Sequence, residues 1–377
     1  MNDLQKRSWA EISLPAIRSN YHHIRAALPE GCRFLGVVKA DAYGHGALPV
    51  ARTLQDAGAD YLAVSCLDEA LELRQGGITM PILILGHTPH EYTATLIENH
   101  ITQTVSALSK AELYAREAAR LGQTLKIHIK LDTGMSRLGF LCAGSYFDTG
   151  VSNLLRTLAL PQLEAEGIYT HFAVSDEEGE EDEAFTREQF ALFTRVIEAV
   201  QNRSGYRFPI RHCANSGAVV NYPEMALDMV RPGLLLYGYG DTTGRLGLTP
   251  CMRLVTTVST IKIYEPGASV SYGRRYVCDK RTRMGVLAIG YADGLPRLMS
   301  NRCSFAVEGG LAPQRGTICM DMCMADLTGL DQVKVGSEVE IFGPRSDINL
   351  LAQAAQTIPY ELLCAVSKRV PRVYQAK

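Results

Sequence analysis

The chain has 377 residues, 46% of them hydrophobic, enough for a large domain plus a smaller one and too apolar for disorder. Its formal net charge of −2 gives no electrostatic basis for a nucleic-acid or anionic-membrane partner. No apolar run reaches the ~18 residues of a membrane helix, and Met1 to Trp9 is too polar for a signal core, so a cytoplasmic protein is expected. The ten cysteines are scattered in apolar contexts (Cys66, Cys213, Cys251) without a CxxC pair, which predicts buried, reduced thiols. Cys319 and Cys323 stand four apart with no histidine beside them, so no metal site is expected.

Trp9 to Ser13 alternates and predicts a short strand. Pro15 then opens a helix from Ala16 to about Leu28. From residue 34, short apolar strands alternate with helical stretches. The strands are predicted at 34–39, 61–65, 81–86, 101–106, 125–132, 167–172, 210–216 and 227–233, with amphipathic segments such as 67–77 between them. Eight strands alternating with helices predict an α/β fold with an N-terminal (β/α)8 TIM-type barrel. A doubly wound open sheet is the alternative, but its glycine fingerprint after the first strand is missing. The acidic run from Asp176 to Glu183 predicts a solvated loop leading into a helix through Phe185 to Val200. Its carboxylates are too irregularly spaced for calcium.

After Gly240 the pattern changes. Strand-like pieces at 254–264, 283–291, 303–310 and 337–343 follow one another without long helices, and turn residues separate them. This predicts a barrel over 1–240 and a mainly antiparallel C-terminal β domain over 241–377, with 241–250 as linker. Strand 8–13 is a candidate for packing with the C-terminal domain. One amphipathic helix is predicted at 348–358.

Active sites of such barrels gather at the C-terminal ends of the strands. Lys39 ends the first strand, in the run Val37-Val38-Lys39-Ala40-Asp41-Ala42-Tyr43-Gly44-His45-Gly46. It is either a lysine escaping to solvent or a half-desolvated amine with a lowered pKa, which is what a Schiff base needs. The fifth strand ends in the run from Lys130 to Gly139. There Arg137 is either a surface arginine or a planar donor for a carboxylate. His171 ends the sixth strand and reads as a structural cap or a site residue. Asn215 and Ser216 after the seventh strand offer hydroxyl and backbone donors to a phosphate. The backbone amides of Gly233 and Leu234, after Arg231 on the eighth, do the same.

The run VVKADAYGHG closely resembles the cofactor-lysine motif of the alanine racemases, fold-type III enzymes that use pyridoxal phosphate (PLP), and the resemblance extends from about residue 9 to 374. It implies that Lys39 carries PLP as a Schiff base. Asp41 departs from the asparagine more usual there. The resemblance further implies that Arg137 meets the substrate carboxylate and that Lys130 is carbamylated to orient it. It puts Arg231 on the pyridine nitrogen and Tyr43 and Tyr360 at the phosphate. An arginine can only donate, so that nitrogen would stay unprotonated. Val270-Ser271-Tyr272-Gly273 is similar to the family's VSYG motif, whose tyrosine is the second catalytic base. A tyrosine pKa near ~10 needs cationic neighbours for that role, here His171 and Arg231. Tyr291, Met320 and Asp321 match residues that come from the partner subunit and line the mouth of the site, so a head-to-tail homodimer is implied.

The expectation is therefore a PLP-dependent amino-acid racemase acting on alanine. Lys39 would serve the D side and Tyr272 the L side, supplying D-alanine for peptidoglycan. Leu85-Gly86-His87-Thr88 and residues 176–183 look more like serine-racemising relatives, so a serine or mixed racemase is the first alternative. A PLP decarboxylase would carry a glutamate in place of Arg231. A non-catalytic PLP-binding barrel would lack the VSYG motif.

Overall fold

Phe34, Leu35, Val37 and Val38 are all buried, as a parallel strand covered on both faces must be. In the computed structural model, which describes residues 7–241 and 244–375, this run forms the strand Arg33–Val37. Seven more barrel strands follow: Tyr61–Val64, Ile82–Ile84, Ile101–Val105, Leu125–Asp132, Leu163–Tyr169, Ile210–His212 and Met229–Val230. They pair in parallel and in chain order, and Met229–Val230 returns to the first strand at Arg33 and Phe34. The Asp228 N–H on Arg211 O and the Arg231 N–H on Ala214 O close the ring. The result is the expected (β/α)8 barrel.

Two expectations shift. The sixth strand runs over Leu163–Tyr169 rather than 167–172, because Glu164 and Glu166 hid its first half as a polar stretch. The acidic run is only partly loop: Glu180 to Glu183 form the first turn of the helix Glu180–Ser204, where carboxylates oppose the positive end of the helix dipole.

The chain divides into two compact units, and the division differs from 240/241. One holds Ile17–Ala42 and Ala47–Thr249. The other holds the described residues up to Ala16, the segment Tyr43–Gly46, and the chain from Pro250 onward. The strand Ser8–Ser13 explains the first difference. It pairs antiparallel with Met252–Tyr264 and parallel with Arg372–Gln375. Gly44 explains the second: its carbonyl accepts from Arg372 Nε at 2.9 Å, and a Cβ there would lie 2.3 Å from Leu363 O. Of the expected linker, residues 242 and 243 lie outside the described residues.

The second unit is built on an eight-stranded, mainly antiparallel sheet. Its order is Thr282–Leu287, Cys323–Asp326, Gly310–Arg315, Ser304–Val307, Glu338–Phe342, Met252–Tyr264, Ser8–Ser13, Arg372–Gln375. The predicted helix at 348–358 is present as Ile348–Ala355, ended by left-handed Gln356, and a second helix, Pro359–Ala365, follows it. All ten cysteines are free thiols. No helix among the described residues is long and apolar enough to cross a membrane.

Candidate active site

Lys39 does not end a strand. It opens a left-handed turn in which Ala40, Asp41, Ala42 and Tyr43 all have φ between 52° and 54°. Non-glycine residues avoid this region at a cost of roughly 1–2 kcal/mol each. Such a run survives only where surrounding bonds over-determine it. The Glu69 carboxylate accepts from the Ala40 and Ser65 N–H groups, each at 2.7 Å. Asp41 Oδ1 accepts from the Ala47 N–H at 2.7 Å, at the start of the helix Ala47–Ala57. An asparagine would supply the same oxygen, which explains why aspartate serves there. The turn fixes the direction of the half-buried Lys39.

Lys130 is 3% exposed, with Nζ 5.6 Å from the centre of the Tyr169 ring. Burial first, then the charges of Arg137, Arg231 and Lys39, lower its amine to about 8. After the same strand, Asp132 Oδ1 accepts from the Gly134 and Ser136 N–H groups at 3.0 Å each. The loop then folds back so closely that a Cβ on Gly139 would lie 2.4 Å from Asp132 N. Arg137 stands exposed in this loop and makes no hydrogen bond or ion pair among the described residues.

Arg231 is 4% exposed and has no carboxylate partner among the described residues. Its Nη2 donates to Thr170 O at 2.8 Å, Cys213 O at 3.1 Å and His171 Nδ1 at 3.3 Å. Its Nη1 donates to His212 Nδ1 at 3.0 Å. The guanidinium also lies 5.2 Å from the centre of the Tyr169 ring. The Nε–H has no partner among the described residues, and Nη1 has one acceptor for its two N–H groups. His171 accepts at Nδ1, so its proton is on Nε2. Burial, Arg231 and Lys130 hold this ring well below the usual histidine pKa, neutral at pH 7.

Asn215 Oδ1 accepts from the Ala218 N–H at 3.0 Å and from Ser175 Oγ at 2.7 Å, capping the short helix Ser216–Asn221. Ser216 Oγ accepts from the Gly233 N–H at 2.9 Å and from the Leu235 N–H at 3.4 Å. The Gly233 amide, expected to face a phosphate, is therefore engaged by Ser216, whose own hydroxyl proton remains to be donated.

Lys39, Lys130, Arg137, His171 and Arg231 thus gather at the C-terminal end of the barrel. This cationic field has one nearby anion, Asp132, among the charges that bear on Lys130. The donor set fits PLP: a primary amine for its carbonyl, an unengaged arginine N–H for a ring nitrogen, and net positive charge for a phosphate and a carboxylate.

The remaining expected residues belong to the other unit. Tyr43 and Tyr360 pack together there, ring centres 6.0 Å apart, and burial raises the Tyr43 hydroxyl far above its usual pKa. Tyr272 is 70% exposed on a stiff loop: Ser271 Oγ donates to Thr317 O at 2.6 Å and Thr317 Oγ1 to Tyr272 O at 2.7 Å. Tyr291 and Met320 are also exposed. Their loops are tied by the Tyr291 N–H on Cys319 O and the Ala292 N–H on Met320 O. Asp321 pairs with Arg369 at 2.7 Å, and Arg369 with the buried Asp293.

Sequence reasoning missed His212, His128, Tyr169 and Glu69. The polar residues inside LKIHIKLD and IRHCANS were the available signal for the two histidines.

A family profile described as alanine racemase, N-terminal domain, matches residues 12–241, and one described as alanine racemase, C-terminal domain, matches 251–374. Similar relatives include the alanine racemase of Desulfovibrio desulfuricans, 44% identical over 97% of both chains. That of Clostridium perfringens is 42% identical over 97% of this chain and 95% of its own. Among solved structures, alanine racemase of Clostridium difficile 630 superposes with a TM-score of 0.91 at 37% identity, covering 99% of this chain and 97% of the other. Alanine racemase of Bartonella henselae with covalently bound pyridoxal phosphate gives 0.88 at 27% identity, covering 98% and 99%.

Proposed function

The chain belongs to the alanine racemase family of PLP-dependent isomerases, and on that premise we propose that it interconverts L- and D-alanine by a two-base mechanism with PLP held on Lys39. The observation that carries this reading is Arg231, a buried guanidinium with no carboxylate beside it among the described residues, anchored through Nη1 and Nη2 so that its Nε–H is left for an acceptor. Bound PLP would withdraw electrons from the substrate and so acidify its Cα–H.

The chain's own residues do the rest. Arg231 would donate to the pyridine nitrogen and leave it unprotonated, since an arginine can only donate and the ring nitrogen must then accept with its lone pair. Reprotonation is thereby steered to Cα. Ser216, Asn215, Leu234, Tyr43 and Tyr360 would hold the phosphate, with the Gly233 amide donating to Ser216 instead. Arg137 holds the substrate carboxylate. Lys130, with its amine lowered to about 8, has the neutral form that reacts with carbon dioxide. The resulting carbamate would put an anion among the cations that now crowd that amine, and it would orient Arg137. Lys39 moves the proton on the D side. The partner subunit's Tyr272 moves it on the L side, with the neutral His171 offering its Nε2–H to that phenol. Tyr291, Met320 and Asp321 of the partner subunit line the mouth. The exposure of Tyr272, Tyr291 and Met320 supports such a homodimer. D-alanine for peptidoglycan is the product this assigns.

Borohydride reduction and peptide mapping, together with turnover of L-alanine against L-serine, test the proposal. The pyridoxyl group is expected on Lys39, with alanine the better substrate. A label on another lysine, or faster serine turnover, contradicts it.

A further inference from the structure

Arg231 is anchored by a line of hydrogen bonds through the barrel interior. Because an arginine only donates, His212 Nδ1, 3.0 Å from Arg231 Nη1, must carry a lone pair. The His212 proton then sits on Nε2, which meets His128 Nδ1 at 2.8 Å. His128 in turn holds its proton on Nε2, 3.5 Å from Glu166 Oε1. That contact is long, but this nitrogen is fully buried and has no closer partner among the described residues. Both rings are 0% exposed, and burial is the first cause lowering the pKa of each, so both stay neutral. Tyr169 stacks on His212 at 4.8 Å and 15°, which blocks rotation of the ring.

Glu166 ends the line. Burial opposes its charge, yet hydrogen bonds involving His128, Lys126 and Thr102 hold its pKa at about 2. With Tyr61, Leu125 and Lys126 it lines a cavity of about 350 Å³. Tyr61 and Leu125 each begin a barrel strand, so this cavity lies at the end opposite to Lys39 and Arg231.

We propose that Glu166, His128 and His212 are positioning residues: Glu166 sets the direction of the hydrogen-bond line and thereby holds Arg231 as a fixed donor toward the cofactor ring. The proposal rests on the reading that Arg231 meets the ring of PLP. Its logic is polarity. A carboxylate only accepts, so every proton in the line points toward Glu166. A glutamine can also donate, which permits the reversed line. In that line His212 Nδ1 carries a proton against Arg231 Nη1, donor against donor, and this arm of the guanidinium loses its acceptor.

Histidine ¹⁵N spectra of the holoenzyme read the tautomers directly. The wild type should show His128 and His212 neutral with the proton on Nε2, and Glu166→Gln should show an Nδ1-protonated fraction at both. With L-alanine, the ratio of keto-acid by-product to racemisation should rise roughly tenfold in Glu166→Gln, the weight of one hydrogen bond to a charged group. It should not change in Glu164→Gln, which alters a neighbouring carboxylate 3.8 Å from Lys126 Nζ. A wild-type His212 protonated on Nδ1 overturns the proposal and needs no Glu166 variant to fold. Unchanged tautomers in Glu166→Gln, or changed tautomers with an unchanged by-product ratio, also overturn it. Borohydride labelling of Lys39 reports separately on the PLP reading, so the two failures are distinguishable.

Discussion

Lys130 Nζ lies 5.6 Å from the centre of the Tyr169 ring, buried, with Arg137, Arg231 and Lys39 all adding positive charge around it. A buried ammonium among cations is a costly arrangement, and a carbamate would relieve it. Gently handled protein should therefore show one carbamate mass increment on Lys130. The same point can be read as stability. An unmodified Lys130 has a folded pKa of about 8 against the ordinary 10.5. The unfolded chain then binds more protons between those values, and stability rises with pH across that window, by about 3 kcal/mol at most. Lys130→Met lacks this rise. At fixed pH near 8 the stability difference between wild type and Lys130→Met should be larger in bicarbonate buffer than after carbon dioxide is stripped, because only the folded side chain holds the carbamate. A bare ammonium, with the same stability difference in both buffers, would refute carbamylation.

Arg231→Glu should replace the ring donor by a group that keeps the pyridine nitrogen protonated. Racemisation should slow by roughly 10²-fold, the scale for losing one preorganised electrostatic partner, and keto-acid by-product should rise. Product analysis by chiral chromatography checks this. An unchanged by-product fraction would mean that the ring-nitrogen contact does not control the outcome.

Ala40 is exposed, with φ 52° and ψ 52°. Ala40→Gly should relieve roughly 1–2 kcal/mol of left-handed strain and lose roughly 0.5–1 kcal/mol to unfolded-chain entropy, a net gain of about 0.5 kcal/mol. Turnover should fall severalfold as Lys39 loses its fixed direction. Denaturant titration and initial rates measure the pair of effects. A stabilised variant with full activity would show that the turn does not serve Lys39.

The barrel was legible because its strands are short apolar runs separated by helical periods, and Lys39, Arg137, His171 and Arg231 follow within a few residues of strand ends. The strand Leu163–Tyr169 was half hidden because Glu164 and Glu166 interrupt its apolar pattern. In the second unit, Gly310–Arg315, Cys323–Asp326 and Arg372–Gln375 escaped notice. They are short and carry charges or Pro313, and Arg372–Gln375 owes its pairing to Ser8–Ser13, distant in the chain. The line from Glu166 through His128 and His212 to Arg231 depends on register across four strands or strand ends, which no local spacing encodes. Tyr272 was identifiable only through the VSYG resemblance, since an exposed tyrosine carries no signal of its own.

The central claim is that each site takes Lys39 from one subunit and Tyr272 from the other, and subunit mixing tests it most directly. Lys39→Ala and Tyr272→Phe homodimers should each be nearly inactive. After exchange, about half the dimers are mixed if pairing is random. In each mixed dimer one site carries both defects, and the other combines intact Lys39 with intact Tyr272. Activity should recover to about a quarter of wild type. No recovery, with exchange verified by differential labelling, would contradict the shared site, because two bases from one chain leave no complete site in the mixture.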